Sequence, residues 1–363
     1  MNKVTKIILS LVVVALLAVV VIKINNQNKP LTEKETVKIG LSLPLTGGVA
    51  FLGEPAKKAA ELALKDAGNT KYDYKLVFED DQFNPVKAAT SASKLINIDK
   101  VLGIISFGSG TGNSINSIAE SGKTAQFALA SDPTVAKGEY NYVHWTPAFL
   151  EGKLMAQTLI KKGIKKVSII DTNHPGTLAV TAAIKEGLAG SGVGIVSYDL
   201  VSFGEKDFRT LALKIQKAAP EIIILEMFSP DIELAAKQIK ELGINIPLTS
   251  VESFEWSSEP SLFEGMWFVS DTVVSDFNQK YKAAYGVDAV SGSSYVYDLV
   301  SMMISIQEDS SKVINPEELP SLISKMNKWN SPVFGKIEID DQGFFLTEPS
   351  VKVIKDGKAV LAE

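Results

Sequence analysis

Apolar and polar positions divide the chain into two unlike parts. Positions 7–22 are almost all apolar and follow a basic tip that carries Lys3 and Lys6. From Val37 onward, short runs rich in β-branched residues alternate with segments in which apolar residues recur at helical spacing. This alternation predicts strands joined by crossover helices, and hence a largely parallel sheet. We therefore predict an α/β body preceded by a separate N-terminal segment.

The same pattern gives approximate bounds for the elements of the body. In the first predicted helix, Pro55 suits a first turn and Gly68 suits a stop. The predicted strands are 37–43, 74–79, 101–106, 124–128, 166–170, 194–200, 222–225, 247–250 and 266–269. The predicted helices are 55–67, 85–96, 114–121, 151–162, 178–188, 208–218 and 231–242.

The N-terminal apolar run indicates export. It is about 16 residues long, between the 7–15 of a signal-peptide core and the roughly 20 of a spanning helix. The chain has no cysteine that could carry a lipid, and no convincing small-residue cleavage site follows the run. We expect residues 1–30 to be a retained membrane anchor rather than a cleaved signal. In either case the body lies outside the cytoplasmic membrane.

Length and composition narrow the class of protein. The chain has 363 residues, and the part after the apolar segment exceeds what one hydrophobic core normally serves, so two lobes are expected. Its 37 basic and 42 acidic residues are mixed along the sequence, so a nucleic-acid partner is not expected. With no cysteine and only His144 and His174, thiol catalysis and multi-histidine metal sites are excluded.

The loops that follow the predicted strands carry the candidate chemistry, because ligands of open parallel sheets settle at the carboxyl ends of the strands. The loop FGSGTGNS follows the third strand and opens into a helix. Gly108 lets a ligand approach the backbone, and the hydroxyls of Ser109, Thr111 and Ser114 join the free N–H groups of the helix start as donors to an anion. The alternative is an ordinary turn and cap.

Two later loops supply complementary groups. LASDPTV follows the fourth strand and offers the Leu129 carbonyl and the Ser131 hydroxyl, and VESFEW offers the Glu252 carboxylate. A carboxylate at a strand end can hold an ammonium group by a charge-assisted hydrogen bond. Together these groups predict a small zwitterionic ligand. The aromatic candidates to shelter its apolar part are Phe51, Phe107, Phe228 and Trp256.

Several segments, in this order, resemble the leucine/isoleucine/valine-binding protein family. They are KIGLSLPLTGGVAFLGEPAKKAAELALKDAG, FEDDQFNPVKAATSASKLI, FGSGTGNS, LASDPTV, GEKDFRTLALKIQKAAPEIIIL, FSPDIELAAKQIKELGI and GKIEIDDQGF. Members are periplasmic type I solute-binding proteins that serve ABC transporters. The similarity extends from about Val37 to near the end of the chain.

The resemblance implies an α/β fold of two doubly wound, Rossmann-like lobes. Three crossover segments join the lobes, which close like a hinge on an amino acid, and no cofactor is implied. On this basis residues 36–147 and 273–335 form lobe 1, and residues 148–272 and 336–363 form lobe 2.

The resemblance also implies roles for individual residues. Ser109, or Gly108 through its backbone, occupies the position that binds the ligand's α-carboxylate. The Leu129 carbonyl and the Ser131 hydroxyl match positions near the amine. Glu252 matches the acidic residue that takes the ammonium group.

Other positions match the aromatic cover of the ligand, with one departure from the family pattern. Phe51 and Leu52 fall where an aromatic covers the ligand from the first lobe, and Phe228 matches an aromatic of the second lobe. Gly176 stands where the family commonly has a tyrosine. His174 is a candidate replacement for that tyrosine, and the alternative is a surface histidine.

We therefore predict an extracytoplasmic solute-binding protein. It captures a small amino acid or related carboxylate and delivers it to the permease of an ABC transporter. The alternative is a ligand-sensing domain that signals to a membrane partner. An enzyme is not expected, because the glycine spacing at 108, 110 and 112 misses G-x-G-x-x-G. A triad of Ser109, His174 and Asp171 lacks a G-x-S-x-G elbow.

Overall fold

The structure is a computed structural model that describes residues 34–362. It contains two parallel β-sheets whose strands are joined by helices, as the alternating pattern predicts. The predicted N-terminal anchor at residues 1–30 lies outside the described residues. Within residues 34–362, no helix is both long and apolar enough to span a bilayer.

The first sheet is built from five strands. They are β1 (Thr36–Leu43), β2 (Asp73–Asp80), β3 (Gly103–Phe107), β4 (Ala125–Leu129) and β5 (Asn141–Val143). The helices between them are α1 (Ala50–Asp66), α2 (Pro85–Lys94), which runs into a π-helical turn at Leu95–Asp99, and α3 (Ser109–Gly122). The strand order is β2-β1-β3-β4-β5, and every neighbouring pair is parallel. All residues of β3 and β4 are buried, as expected for strands covered on both faces.

The second sheet repeats this topology with four strands. They are β6 (Lys166–Thr172), β7 (Gly194–Val201), β8 (Ile222–Glu226) and β9 (Leu248–Thr249). The associated helices are α4 (Ala148–Lys161), α5 (Pro175–Leu188), α6 (Arg209–Ala218) and α7 (Asp231–Glu241). Their order is β7-β6-β8-β9, again all parallel. In both sheets the order reverses beside the first strand, which is the point where such sheets form a ligand crevice.

The last third of the described chain adds three helices and two antiparallel sheets. The strands are β10 (Trp267–Asp271), β11 (Lys328–Ser331), β12 (Gly335–Ile339), β13 (Phe345–Leu346), β14 (Pro349–Lys355) and β15 (Lys358–Leu361). The helices are α8 (Phe277–Tyr285), α9 (Ser293–Asp309) and α10 (Leu319–Met326). The sheets have the orders β10-β14-β15 and β11-β12-β13. Except for the strand at 266–269, the sequence pattern did not predict these elements.

Separate hydrophobic cores support the two sheets. The first core packs β1, β3 and β4 against α1 and α9, and it also takes in side chains of β12 and β13. The second sheet is covered by two other clusters, one with α6 and α7 and one with α4 and α5. The prediction of an α/β fold with two doubly wound lobes is confirmed.

The residue bounds of the lobes stay a prediction, and core packing favours a change to one of them. Ile337, Ile339 and Phe345 pack in the first core, although the sequence prediction assigned residues 336–363 to lobe 2. Ile354 of β14 packs in a core of the second sheet. We therefore propose that the last passage between the lobes lies between Leu346 and Pro349.

Four helices begin earlier than predicted, and two of them begin five residues earlier. α1 starts at Ala50 and holds Pro55 in its interior, so Pro55 does not mark the first turn. The cost of an interior proline is one lost backbone hydrogen bond, which tertiary packing of the helix outweighs. α3 starts at Ser109 rather than at Ser114, so the serine- and glycine-rich loop forms the first turns of the helix. This change brings the N–H groups of that segment to the end of β3.

Candidate functional site

A cavity lies where the carboxyl ends of strands from both parallel sheets meet. Its empty volume is about 550 Å³, including open solvent at its mouth. Seven of the nine predicted site residues line it: Leu52, Gly108, Ser109, Leu129, Ser131, Phe228 and Glu252. Phe51 and His174 are not among the lining residues. Most of the candidates therefore lie in one place, as the rule that ligands bind at the carboxyl ends of strands predicts. Their roles in ligand binding stay a prediction.

The N-terminus of α3 forms one side of the cavity. Gly108 precedes the helix with φ of 99°, and a Cβ at this position would lie 2.3 Å from the ring of Phe83. Only glycine fits this conformation and this contact without strain. The Ser109 hydroxyl oxygen accepts hydrogen bonds from the backbone N–H groups of Ser131 at 3.2 Å and Asp132 at 3.1 Å. These two bonds leave the hydroxyl hydrogen of Ser109 free to donate, so this side of the cavity suits an anion.

Leu129 occupies the predicted place but has a further structural role. Its carbonyl accepts a 2.8 Å hydrogen bond from the Gly108 N–H, which ties the end of β4 to the start of α3. A carbonyl oxygen has two lone pairs, so one remains for a ligand donor.

The N-terminus of α5 approaches α3 from the second sheet. A Cβ on Gly176 would lie 2.9 Å from the Ser109 hydroxyl oxygen, so the absence of a side chain permits this close approach. His174 caps α5, and its Nδ1 accepts a hydrogen bond of 3.2 Å from the Gly176 N–H. Desolvation between neighbouring rings lowers the pKa of His174 to about 4, so the ring is neutral at pH 7 with its proton on Nε2.

His174 supports the cavity wall from behind. Its ring stacks on Phe83 at 5.5 Å and meets the edge of Phe228 at 5.1 Å. His174 thus contacts two rings of the wall, and its predicted role as a replacement for the family tyrosine stays a prediction. The alternative of a plain surface histidine does not describe it, because most of the residue is buried.

Aromatic side chains form a continuous wall of the cavity. Phe228 stacks on Trp256 at 5.8 Å, and Trp256 meets Trp145 at 6.0 Å. Phe107 and Phe83 complete the wall, which suits an apolar or aromatic part of a ligand. Sequence reasoning missed Phe83 and Trp145. Phe83 lies in a segment that carries the family resemblance, which was the one available signal.

Phe51 faces away from the cavity and packs at the edge of the first core. Leu52 lines the cavity instead. Consecutive residues of a helix are rotated by about 100°, so only one of this pair can face the cleft. The sequence prediction placed both residues at the ligand because the resemblance to the family puts an aromatic cover there, and the role of Phe51 stays a prediction.

Buried carboxyl groups also line the cavity. Glu252 has a left-handed backbone with φ of 59°, and its N–H donates to the Val269 carbonyl at 2.7 Å. Burial raises the pKa of Glu252 to about 8; the Asp271 charge adds to this effect, while the nearby Trp145 indole opposes it. This strained, fixed backbone aims one carboxyl group at the cleft.

Two further glutamates accompany Glu252. Glu226 ends β8 and lines the cavity; burial raises its pKa well above the usual range, although its Oε1 accepts a 2.8 Å hydrogen bond from the Val251 N–H. Glu151 of α4 is fully buried beside Glu252, and burial also raises its pKa. Sequence reasoning missed both. Glu226 stands at a strand end, where the rule that found Glu252 could have found it, whereas nothing in a helix pattern marks Glu151.

Two acidic side chains, Glu226 and Glu252, line the cavity. Among the residues that the structure describes, no lysine or arginine lines it. The cleft therefore offers a cationic group carboxyl partners and, among these residues, no competing cation. An anionic group of a ligand finds N–H and hydroxyl donors only at the α3 end.

A comparison with protein families decides what kind of protein carries this cleft. The model of the periplasmic binding protein family matches residues 36–350. The chain belongs to this family.

Relatives and solved structures agree with that membership. A Leu/Ile/Val-binding protein homolog from Brucella melitensis is 28% identical over 57% of this chain, and the match spans 59% of that relative's length. The substrate-binding protein LivJ of Streptococcus pneumoniae, solved with isoleucine, superposes with a TM-score of 0.81 at 20% identity over 91% of this chain and 99% of its own. A Rhodopseudomonas palustris solute-binding protein, solved with 3,4-dihydroxybenzoic acid, gives 0.80 at 21% identity over 90% and 96%.

The resemblance seen in the sequence is thus confirmed at the level of the family. The related proteins are solute-binding proteins rather than enzymes. This confirms the prediction that the chain is not an enzyme. The structural likenesses show the fold and nothing more specific, because their sequence identities are below 25%.

Proposed function

We propose that this periplasmic binding protein captures a small amino acid-like ligand between its lobes and delivers it to an ABC transporter. The observation that carries the proposal is the polarity of the cavity. Ser109 and the N-terminus of α3 offer hydrogen-bond donors to the cavity, and Glu252, from the second sheet, offers a carboxyl group. A zwitterion matches this arrangement at both ends.

Each part of such a ligand has a place in the cavity. The carboxylate binds the free N–H groups of α3 and the Ser109 hydroxyl, because a helix N-terminus stabilises negative charge. The ammonium group binds Glu252 through a charge-assisted hydrogen bond. The side chain packs against the wall of Phe83, Trp145 and Phe228.

Leucine, isoleucine and valine are the first ligands to test, because related proteins are named for them. Aromatic acids such as the benzoates bound by two Rhodopseudomonas palustris proteins fit the aromatic wall equally well. They lack a cationic group, however, and would leave Glu252 and Glu226 without a cationic partner. An amine-bearing ligand therefore fits this cavity better than a benzoate does.

The location and the membrane partner follow from the family and from the N-terminal pattern. We propose an extracytoplasmic protein, periplasmic or on the cell surface, held at the membrane by the apolar segment within residues 1–30. The partner would be an ABC transporter permease. Signalling to a membrane partner is the sequence-based alternative. Loss of ligand uptake on deletion of the gene would favour transport, and intact uptake would favour signalling.

A thermal-shift screen tests ligand capture directly. A ligand that binds only the folded state, supplied at 100 times its Kd, stabilises the protein by about 2.7 kcal/mol. We expect leucine, isoleucine or valine to raise the melting temperature, and benzoate to have a smaller effect. No shift with any of the standard amino acids would contradict the proposal.

A further inference from the structure

Glu151 stands directly behind the predicted ammonium site and has no obvious partner for its charge. Its side chain is fully buried, and neither carboxyl oxygen receives a hydrogen bond from a nitrogen or hydroxyl donor. Oε1 of Glu252 is buried in the same condition. The two carboxyl groups lie within hydrogen-bonding range of each other.

Two ionised carboxylates cannot form that hydrogen bond, because both are acceptors only. A buried pair of like charges is also strongly unfavourable, and proteins relieve it by keeping a proton on one member. A single proton on Glu151 would join one of its oxygens to an oxygen of Glu252 in a hydrogen bond, although the second Glu151 oxygen stays without a donor. It would also remove an unpaired charge from the protein interior.

The other charged groups around the pair do not offer an alternative partner. The neighbouring side chains are acidic as well: Glu226 at the end of β8 and Asp271 at the end of β10 lie near the pair, and Asp171 of β6 lies near Glu226. Lys352 of β14 is the nearby cation, but it pairs with Glu255 at 2.9 Å and with Asp271 at 3.1 Å.

Two other possibilities for neutralising the pair find no support in the surroundings. The Tyr295 hydroxyl is already paired with Thr146 at 2.8 Å. Across residues 34–362 no group of three acidic or histidine side chains is arranged to hold a metal ion.

We propose that Glu151 remains a neutral carboxylic acid at pH 7 and donates its proton in a hydrogen bond to Glu252, which it orients toward a cationic group of the ligand. Glu151 does not line the cavity, so it is a positioning residue that acts through Glu252. The statement that the ligand carries an ammonium group rests on the function proposed above, whereas the statement that Glu151 is protonated does not.

Proton balance gives the pair a pH-dependent affinity. An ammonium group requires Glu252 in its ionised form, whereas Glu151 keeps its proton throughout. Where Glu252 is still protonated in the empty cleft, its O–H bond breaks on binding and the proton leaves to solvent. Leucine affinity should therefore rise with pH until Glu252 is ionised in the empty protein.

The protonation state can be read without any ligand. In the full chain labelled with ¹³C at the side-chain carboxyl of glutamate, the signal that disappears in Glu151→Gln belongs to Glu151. We expect this signal at the position of a carboxylic acid at pH 7, and to move only at higher pH. A carboxylate signal at pH 7 would overturn the inference.

Leucine binding by calorimetry supplies the second readout. Glu151→Leu removes the donor and should weaken leucine binding about tenfold, and the conservative Glu151→Gln should restore it, because its amide N–H replaces the acid O–H. The control Glu259→Gln changes an exposed glutamate that pairs with Lys237, and it should bind like the wild type. Equal weakening by Gln and Leu would contradict the inference, since it would mean that Glu151 acts as a charge.

The two readouts separate the possible failures. If leucine does not bind the wild type, the proposed ligand class is wrong, while the carbon signal still decides the state of Glu151. If leucine binds but Glu151 is a carboxylate, the function stands and the inference fails.

Discussion

Glu252 is held in the cleft under conditions that an acidic residue usually avoids. It is buried, has a left-handed backbone and lies near Glu151, Glu226 and Asp271. Each of these features costs stability, and residues in such positions concentrate at functional sites. The sequence placed Glu252 correctly at a strand end because that rule is local. The sequence pattern could not predict the position of Glu151, because this residue lies beside Glu252 only when α4 packs against the second sheet.

Removal of the Glu252 charge should weaken ligand binding. A hydrogen bond to a charged group contributes about 1.5–3 kcal/mol, so Glu252→Gln should lose that much binding free energy for leucine. Calorimetric titration at pH 8 measures the change under conditions in which about half of the wild-type Glu252 is ionised in the empty protein. The exposed Glu259→Gln serves as the control. Unchanged affinity would place the ammonium group elsewhere in the cleft.

The pH dependence of stability should also reveal Glu252. Its pKa is about 8 in the folded protein and near 4.5 in the unfolded chain. The stability gained from the neutral group is fully present below pH 4.5 and is lost as the pH rises through 8, because the unfolded chain ionises first. The variant Glu252→Gln lacks this loss.

Urea denaturation at pH 5, 6.5 and 8 measures this effect. The difference in free energy of unfolding, Glu252→Gln minus wild type, should become more positive from each pH to the next, by at most about 1.4 kcal/mol per pH unit. The exposed control Glu259→Gln should follow the wild type. A constant difference between Glu252→Gln and the wild type across this range would show that Glu252 is already ionised at pH 5 in the folded protein.

At the scale of elements, periodicity predicted most strands and helices of the two parallel sheets but not where helices begin at the site. α3 starts five residues earlier than predicted, because glycine and serine have weak helix propensity and only packing against β3 and β4 makes those turns helical. The same limit explains Phe51, since the orientation of α1 is a tertiary property. The aromatic wall assembles residues from several separate segments, so no local pattern could show it.

The turn from β3 into α3 should not tolerate a side chain at Gly108. Its φ of 99° is unfavourable for other residues, and a new Cβ would lie 2.3 Å from Phe83. Gly108→Ala should therefore lower the free energy of unfolding by at least about 1–2 kcal/mol. Thermal or urea denaturation measures this, and leucine affinity should fall as well because Phe83 is displaced from the wall.

Gly48→Ala is the matched control for Gly108→Ala. Gly48 lies in the loop after β1, where a Cβ would meet nothing within 4 Å. Its replacement should change stability by less than about 0.5 kcal/mol. Equal effects of the two substitutions would mean that the β3–α3 turn can relax around a side chain.

At the scale of the whole molecule, two similar sheets present the N-termini of α3 and α5 to each other across the cleft. Closure of such lobes is selected by a ligand that contacts both. One close approach between them is that of Gly176 to Ser109, where a tyrosine of the family pattern would not fit in this arrangement. The departure from the family pattern is therefore coupled to how closely the lobes approach.

A methyl group at Gly176 should hinder this approach without harming either lobe. In Gly176→Ala the new Cβ would lie 2.9 Å from the Ser109 hydroxyl oxygen, which must shift away from the N–H groups of Ser131 and Asp132. Alanine favours a helix over glycine, so the free energy of unfolding of the empty protein should not fall. Leucine affinity should drop about tenfold, which corresponds to about 1.4 kcal/mol.

Gly110→Ala provides the comparison on the facing helix, because its Cβ would meet His174 at an ordinary 3.6 Å. Small-angle scattering with saturating leucine should show a compact particle for the wild type and for Gly110→Ala, and a larger radius of gyration for Gly176→Ala. This contrast separates hindered closure from local damage, because both variants add the same methyl group near the cleft. Equal compaction and equal affinity in all three proteins would show that the contact between α3 and α5 does not limit closure.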